Sequence, residues 1–280
     1  MLNLKVMDPW EHYLVGASIM ILGITGTIIN SIILYRNYLK DSNKYPNSLV
    51  SNLCLTNLGI IFFAFPLSGL ASFKQKWIWG DQWCTYYGSV SLLFGFNIMI
   101  TTMMLVLDIF LRFYLGNYES YKIRARRLMI IWGWITSIFW STAPLFGWSK
   151  ISYEPTYTSC TVDLMHPDKA YITYIISCFV FCYVLPIGLM IFVRIRPRKN
   201  YEPVSKDINK SFQKIVIIII LFIIEWSPYA TIYLWPVFAD PNRIPISLAA
   251  AAPVFAKLSV VLTPLVFLNE NDPNEDKINN

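Results

Sequence analysis

Seven long apolar stretches constrain this chain before anything else does. Five of them, 13–35, 48–73, 83–107, 128–149 and 170–193, contain no Asp, Glu, Lys or Arg. The other two, 215–239 and 244–269, contain one charged residue each, Glu225 and Lys257. A helix needs about 20 apolar residues to cross the hydrocarbon core, and a backbone in lipid must satisfy its polar groups within its own segment. The pattern therefore predicts an all-α fold, a bundle of seven transmembrane helices. Short polar connectors and the lack of a sequence repeat make residues 1–280 a single domain. The composition agrees: 55% of residues are hydrophobic and only 14% charged, where soluble domains carry about a quarter charged residues. So little polar surface cannot cover a water-exposed globule, which excludes an ordinary soluble enzyme and a nucleic-acid binder.

Basic residues set the expected orientation. The first, third and fifth connectors and the tail hold 16 Lys+Arg, including Arg124, Arg126, Arg127, Arg194, Arg196 and Arg198. The N-terminal segment and the remaining connectors hold six: Lys5, Lys74, Lys76, Lys150, Lys169 and Arg243. The positive-inside rule thus places the N-terminus outside and the C-terminus inside. Residues 1–12 hold Asp8 and Glu11 in place of a basic region leading to a cleavage site, so the first span is expected to direct insertion. Of the 23 Lys+Arg, 22 lie in connectors and ends. The remaining one is Lys257.

Lys257 has 13 residues of its stretch before it and 12 after, which places it about 18 Å from either end. Its side chain cannot snorkel that far. A charged lysine at mid-helix is disfavoured by about 2.5–3.5 kcal/mol even on the lenient insertion scale, so it marks a function or an ion pair with a buried acid. The functional reading uses the same physics. Desolvation disfavours an ammonium, and a neutral amine is the nucleophile that condenses with an aldehyde as a Schiff base.

Around this lysine the sequence Pro253-Val254-Phe255-Ala256-Lys257-Leu258-Ser259 resembles the retinal-binding segment of animal opsins. Glu225-Trp226-Ser227-Pro228-Tyr229-Ala230 resembles their Cys-Trp-x-Pro-Tyr motif, with Glu in place of Cys. Pro144-Leu145-Phe146-Gly147-Trp148, Tyr153-Glu154-Pro155 and Cys160-Thr161-Val162-Asp163 extend the likeness across all seven stretches. The wording around Trp148, Glu154 and Trp226, and Trp10-Glu11-His12-Tyr13 ahead of the first helix, is most similar to retinal G-protein-coupled receptor opsins and retinochromes.

The resemblance implies a site. Lys257 would attach retinal. The position that holds the counterion in many vertebrate visual pigments is Tyr87 here, uncharged at neutral pH. Opsins without that acid use a glutamate six residues before the loop cysteine, which is Glu154. Glu225 competes, since a carboxylate inside the sixth span invites a partner on the seventh. Trp226, Tyr229, Phe179, Tyr183, Gly95, Phe96 and Tyr87 would line the pocket. Cys54, Cys178 and Cys182 lie within spans and read as small hydrophobes. Cys84 and Cys160 both fall on the oxidising outer side and are expected to form a disulfide that holds the Glu154 loop over the ligand.

The switch elements of signalling opsins are incomplete. The acid-arginine-aromatic triplet at the inner end of the third helix falls on Asp108-Ile109-Phe110, without the arginine, and Arg112 is displaced around the helix. The Asn-Pro-x-x-Tyr motif reads Thr263-Pro264-Leu265-Val266-Phe267, Asn57 replaces an aspartate, and the tail after Asn269 has 11 residues without cysteine or a Ser/Thr cluster. This pattern favours chemistry on the ligand. The resemblance then implies a light-driven photoisomerase that binds all-trans-retinal in the dark and yields the 11-cis isomer, rather than a thermal enzyme. The alternative is a light-activated receptor coupled to a heterotrimeric G protein, which the basic connector 194–214 could meet. A microbial-type ion pump would need carboxylates in the third stretch, and 83–107 has none. No metal-ligand spacing is present, and His12 and His166 are isolated. The sequon Asn209-Lys210-Ser211 falls in an inner loop and is expected to be unused. The expected setting is a multi-pass protein of the plasma membrane or an intracellular membrane of photoreceptor or supporting cells, surrounded by lipid.

Overall fold

The first helix begins earlier than its apolar stretch. Pro9 supplies a φ already suited to a first turn, the Glu11 side chain accepts from the Asp8 N–H at 2.8 Å, and the Asp8 carbonyl accepts from the Glu11 and His12 N–H groups. In this computed structural model, which describes residues 7–40, 48–114, 118–195 and 206–268, Trp10-Glu11-His12-Tyr13 therefore forms the opening turn of α1 (Pro9–Lys40) and does not precede it. Arg112, Asn209-Lys210-Ser211, most of the 194–214 connector and the tail after Leu268 fall outside the residues described with their side chains.

Seven helical spans follow in order, each long and apolar enough to cross a membrane. The second consists of α2 (Ser48–Phe63) and α3 (Phe65–Phe73), which part at Ala64 because Pro66 has no N–H to continue the ladder. The third is α4 (Asp81–Tyr114), against which most of the bundle packs. The fourth is α5 (Tyr118–Thr142), which starts ten residues before the apolar stretch and ends as a 3₁₀ turn over Ala143–Phe146 at Pro144. A short antiparallel hairpin, β1 (Ile151–Tyr153) and β2 (Cys160–Val162), crosses the end of the bundle.

The fifth span opens with Asp168 capping the Tyr171 N–H at 2.7 Å. It runs as α6 (Lys169–Cys178), widens to a π-helix over Phe179–Val184 and closes as α7 (Leu185–Ile195). Pro186 sits just beyond the widened turn and cannot donate to the Cys182 carbonyl. The sixth and seventh spans are α8 (Lys206–Phe238) and α9 (Ile246–Leu268), each carrying two prolines. Gly26 lets α1 approach α9, since a Cβ there would stand 2.9 Å from Val260. Between α2, α4 and α5, Asn52, Thr56, Asn97, Thr101, Trp134 and Ser137 share one buried hydrogen-bond network. Each polar group there finds a partner that lipid could not supply.

Candidate functional site

Lys257 has eleven residues of α9 on either side and is buried. Its Nζ opens on a cavity of about 150 Å³ enclosed by α2, α3, α4, β2, the fifth span, α8 and α9. The walls include every pocket position expected above: Tyr87, Gly95, Phe96, Phe179, Tyr183, Trp226 and Tyr229. The helical period explains the selection. Tyr87, Ser91 and Gly95 repeat every four residues along α4 and so share a face, as do Trp226, Tyr229 and Tyr233 on α8. The π-helix turns Cys178, Phe179, Cys182 and Tyr183 together toward the cavity. Gly95 leaves room for the indole opposite, since a Cβ there would meet Trp226 Cη2 at 3.7 Å.

The amine is weakly held. Nζ donates to Tyr87 Oη at 3.5 Å and lies 5.6 Å from the centroid of the Phe65 ring. Among the described residues, no carboxylate forms an ion pair with it within 4.0 Å. A cation on this nitrogen would rely on a charge one shell further out.

Glu154 is near enough to feel the Lys257 charge. The hairpin turns at Glu154-Pro155-Thr156-Tyr157, with the Tyr157 N–H bonded to the Glu154 carbonyl and Tyr157 in the left-handed region. The Glu154 N–H donates to the Ser159 carbonyl at 2.9 Å, which turns the carboxylate inward to 2% exposure. Ser159 Oγ donates to Oε2 at 2.5 Å and Tyr229 Oη to Oε1 at 3.0 Å. Burial pushes the Glu154 carboxyl above the usual carboxylate range, and the Ser159 bond, the Lys257 charge and the Tyr229 bond offset part of that rise. A fixed cation nearby favours the charged form of such a group.

Three anchors press the hairpin down. Cys84 at the start of α4 and Cys160 on β2 are joined as a disulfide. The Trp77 N–H donates to the Tyr157 carbonyl at 2.6 Å and Tyr153 Oη to Asp81 at 2.5 Å; that bond holds the Tyr153 phenol above its ordinary range. Gly88 lets β1 lie on α4, for a Cβ there would stand 2.6 Å from Ile151 Cγ2. The result is a cover that keeps water from Glu154.

Glu225 is elsewhere. It is buried and does reach the seventh span, but at Thr263, whose hydroxyl donates to its two oxygens at 3.1 and 3.2 Å. Thr263 lies six residues beyond Lys257, about 9 Å along the helix. The switch positions also have new partners. Asp108 is bound through both oxygens by Arg126 of α5, Nε to Oδ1 and Nη2 to Oδ2, each at 2.8 Å. Asn57 donates to Asn30 at 3.0 Å.

Several contributors do not stand out in the sequence, among them Ser159, Phe65, Tyr233 and Arg126. Tyr233 stacks on Tyr229 with centroids 5.2 Å apart and bonds to Thr161 on the hairpin; it lies one turn beyond Tyr229, and that spacing was its signal. Arg126 reads in the sequence only as an inner basic residue, and no local pattern points it at Asp108.

The sequence model of the family described as "7 transmembrane receptor (rhodopsin family)" matches residues 27–267. The chain is 25% identical to "Visual pigment-like receptor peropsin" of Mus musculus over 282 residues, covering 94% of this chain and 82% of that one. It is 31% identical to "Rhodopsin, GQ-coupled" of Mizuhopecten yessoensis over 290 residues, 94% of this chain and 58% of that one. The crystal structure of squid rhodopsin superposes with a TM-score of 0.79 at 23% identity, covering 98% of this chain and 86% of that one. This chain belongs to the rhodopsin family of seven-transmembrane receptors, among whose members its relatives are opsins.

Proposed function

We propose that this opsin holds retinal on Lys257 as a Schiff base, with Glu154 as counterion, and that it acts as a light-driven isomerase taking all-trans-retinal to the 11-cis form. One observation carries the reading: the amine at the middle of α9 opens into a largely apolar cavity with the Tyr87 hydroxyl as its polar contact, while a buried carboxyl lies on the hairpin nearby. The largely apolar lining, with Lys257 as its amine, suits an apolar ligand that carries an aldehyde. Retinal would supply a polyene whose excitation weakens its double bonds.

The chain's own residues divide the remaining work. Lys257 attaches. Ser159 and Tyr229 orient Glu154, so its charge faces one direction and costs little reorganisation when a cation is present. The disulfide-anchored hairpin excludes water. Trp226, Phe96, Phe179 and Tyr183 restrict the space in which the ligand can change shape. Chemistry on the ligand is favoured over signalling because Thr263 and Asn57 stand where a switch would need other groups, and Asp108 is tied to the fourth span. The N-terminus is placed outside and the hairpin end with it, following the distribution of basic residues. The Mizuhopecten yessoensis relative is named as GQ-coupled, and a receptor that activates a G protein is therefore the second reading.

The test is to load the expressed protein with all-trans-retinal, illuminate it and extract the isomers. Accumulation of 11-cis-retinal is expected, and Lys257→Ala is expected to form no visible band. Absence of the 11-cis isomer together with light-dependent nucleotide exchange on a G protein would overturn the isomerase in favour of the receptor.

A further inference from the structure

Glu225 is a buried acid to which the proposed function gives no task. It precedes Trp226, a wall of the cavity, and successive helical side chains diverge by about 100°. Trp226 therefore faces the cavity while Glu225 faces α9, where Thr263 donates to both carboxyl oxygens. Among the described residues, no basic group forms an ion pair with Glu225. Acid and hydroxyl are thus each other's polar partners across the two helices.

Both ends of this contact lie in weakened turns. On α8, Pro228 cannot donate to the Ile224 carbonyl, and Ser227 Oγ draws on the Ile223 carbonyl at 2.5 Å while bonding Tyr183 Oη at 2.6 Å. The turn carrying Glu225 and Trp226 has lost a rung of its ladder and is tied sideways to the fifth span. On α9, Pro264 cannot donate to the Val260 carbonyl, and Asn30 of α1 takes that carbonyl instead at 2.8 Å. The Thr263 turn is therefore held from α1, not by its own helix. Two proline-broken turns thus face one another, one of them a wall of the cavity, and a hydroxyl–carboxyl contact joins them.

We propose that Glu225 is a positioning residue: through Thr263 it sets the stance of Trp226 against the cavity, and this contact rearranges when the bound ligand changes shape. The inference rests on the retinal reading above. A ligand that presses on Trp226 moves its turn against the Ser227–Tyr183 tie, because Pro228 has removed one helix rung that would also resist, and Glu225 moves with it. Thr263 does not follow, since Asn30 holds its turn. The hydroxyl–carboxyl geometry then changes without any proton leaving the pair.

The experiment is light-minus-dark infrared difference spectroscopy on the retinal-loaded protein. The expected result is a pair of carboxyl bands that vanishes in Glu225→Gln and shifts in Thr263→Val, while both variants still form a visible pigment. Glu225→Gln retains a carbonyl that can accept from Thr263, so it should keep the wild-type absorption maximum, whereas Glu225→Leu should displace it. Pigment that forms and photoreacts normally with no difference band dependent on Glu225 would overturn this inference and leave the retinal reading intact. Failure of the wild type to form a visible band would instead overturn the retinal reading.

Discussion

Glu154→Gln separates the counterion role proposed for this carboxyl from the cost of burying it. In the retinal-loaded protein the side chain keeps its volume and can still accept from Tyr229, but the charge is gone. Beyond ion-pair reach, two unit charges taken at about 6 Å and an effective dielectric of about 20 interact by about 3 kcal/mol, which corresponds to a shift of about two pH units in a protonation midpoint. The sign follows from removing an anion: the cation is less favoured, so the visible band should give way to a near-ultraviolet one at a pH about two units lower than in the wild type. In the ligand-free protein the sign reverses. Glu154 titrates above the ordinary carboxylate range because it is buried, so wild-type stability should fall as pH rises from that ordinary range to the raised value, and stay flat above it. Glu154→Gln removes the penalty. Its ligand-free thermal midpoint should be flat across that window and no lower than the wild type at neutral pH, although its pigment is less durable. Absorption titration reads the first effect and pH-dependent thermal unfolding the second. An unchanged titration midpoint would refute the counterion assignment, and equal pH slopes for the two ligand-free proteins would refute the buried-carboxyl argument.

Two further predictions concern the support of the site. Asp108→Asn should destabilise the protein by about 3–5 kcal/mol, because it strands a buried arginine; in a double-mutant cycle with Arg126→Met, unfolding in detergent should show strong coupling, and additive effects would mean that the pair contributes nothing of its own. Cys84→Ser opens a loop with a sequence separation of 76, for which chain entropy alone gives about 4–5 kcal/mol as an upper figure, since the membrane already restrains the unfolded chain. The pigment should then lose its band faster in hydroxylamine in the dark, and an unchanged rate would mean that the hairpin closes the cavity without its covalent anchor.

The seven spans were legible because lipid permits few alternatives, and an uncharged run of the right length states its own structure. Their ends were not. Charged residues can continue a helix past the hydrocarbon, so α1 begins at Pro9 and α5 at Tyr118, well outside the apolar runs. The π-helix at Phe179–Val184 left no pattern beyond Pro186. Lys257 announced itself by cost alone, whereas Glu154 was legible only by counting back from Cys160, because a loop acid is unremarkable until a hairpin buries it. The partners of Glu225 and Asp108 depend on which helix faces which, and neither α8 to α9 nor α4 to α5 packing is encoded in any local spacing.

The buried ionisable groups differ in how completely the fold answers them, and that difference sorts their roles. Asp108 and Arg126 meet through paired hydrogen bonds that satisfy charge and geometry together. Such a pair is costly to break and has little reason to change during a photocycle. Glu225 meets a hydroxyl that can solvate it without matching a charge, so its contact can shift at small cost. Lys257 and Glu154 are the unanswered ones: each is held by neutral donors or acceptors, near the other but not paired with it. A protein gains nothing in stability by keeping a buried amine and a buried carboxyl apart. The arrangement makes sense if the amine is to become a Schiff base, whose protonated nitrogen is Nζ itself and whose charge spreads into the attached chain, with Glu154 as the nearby anion.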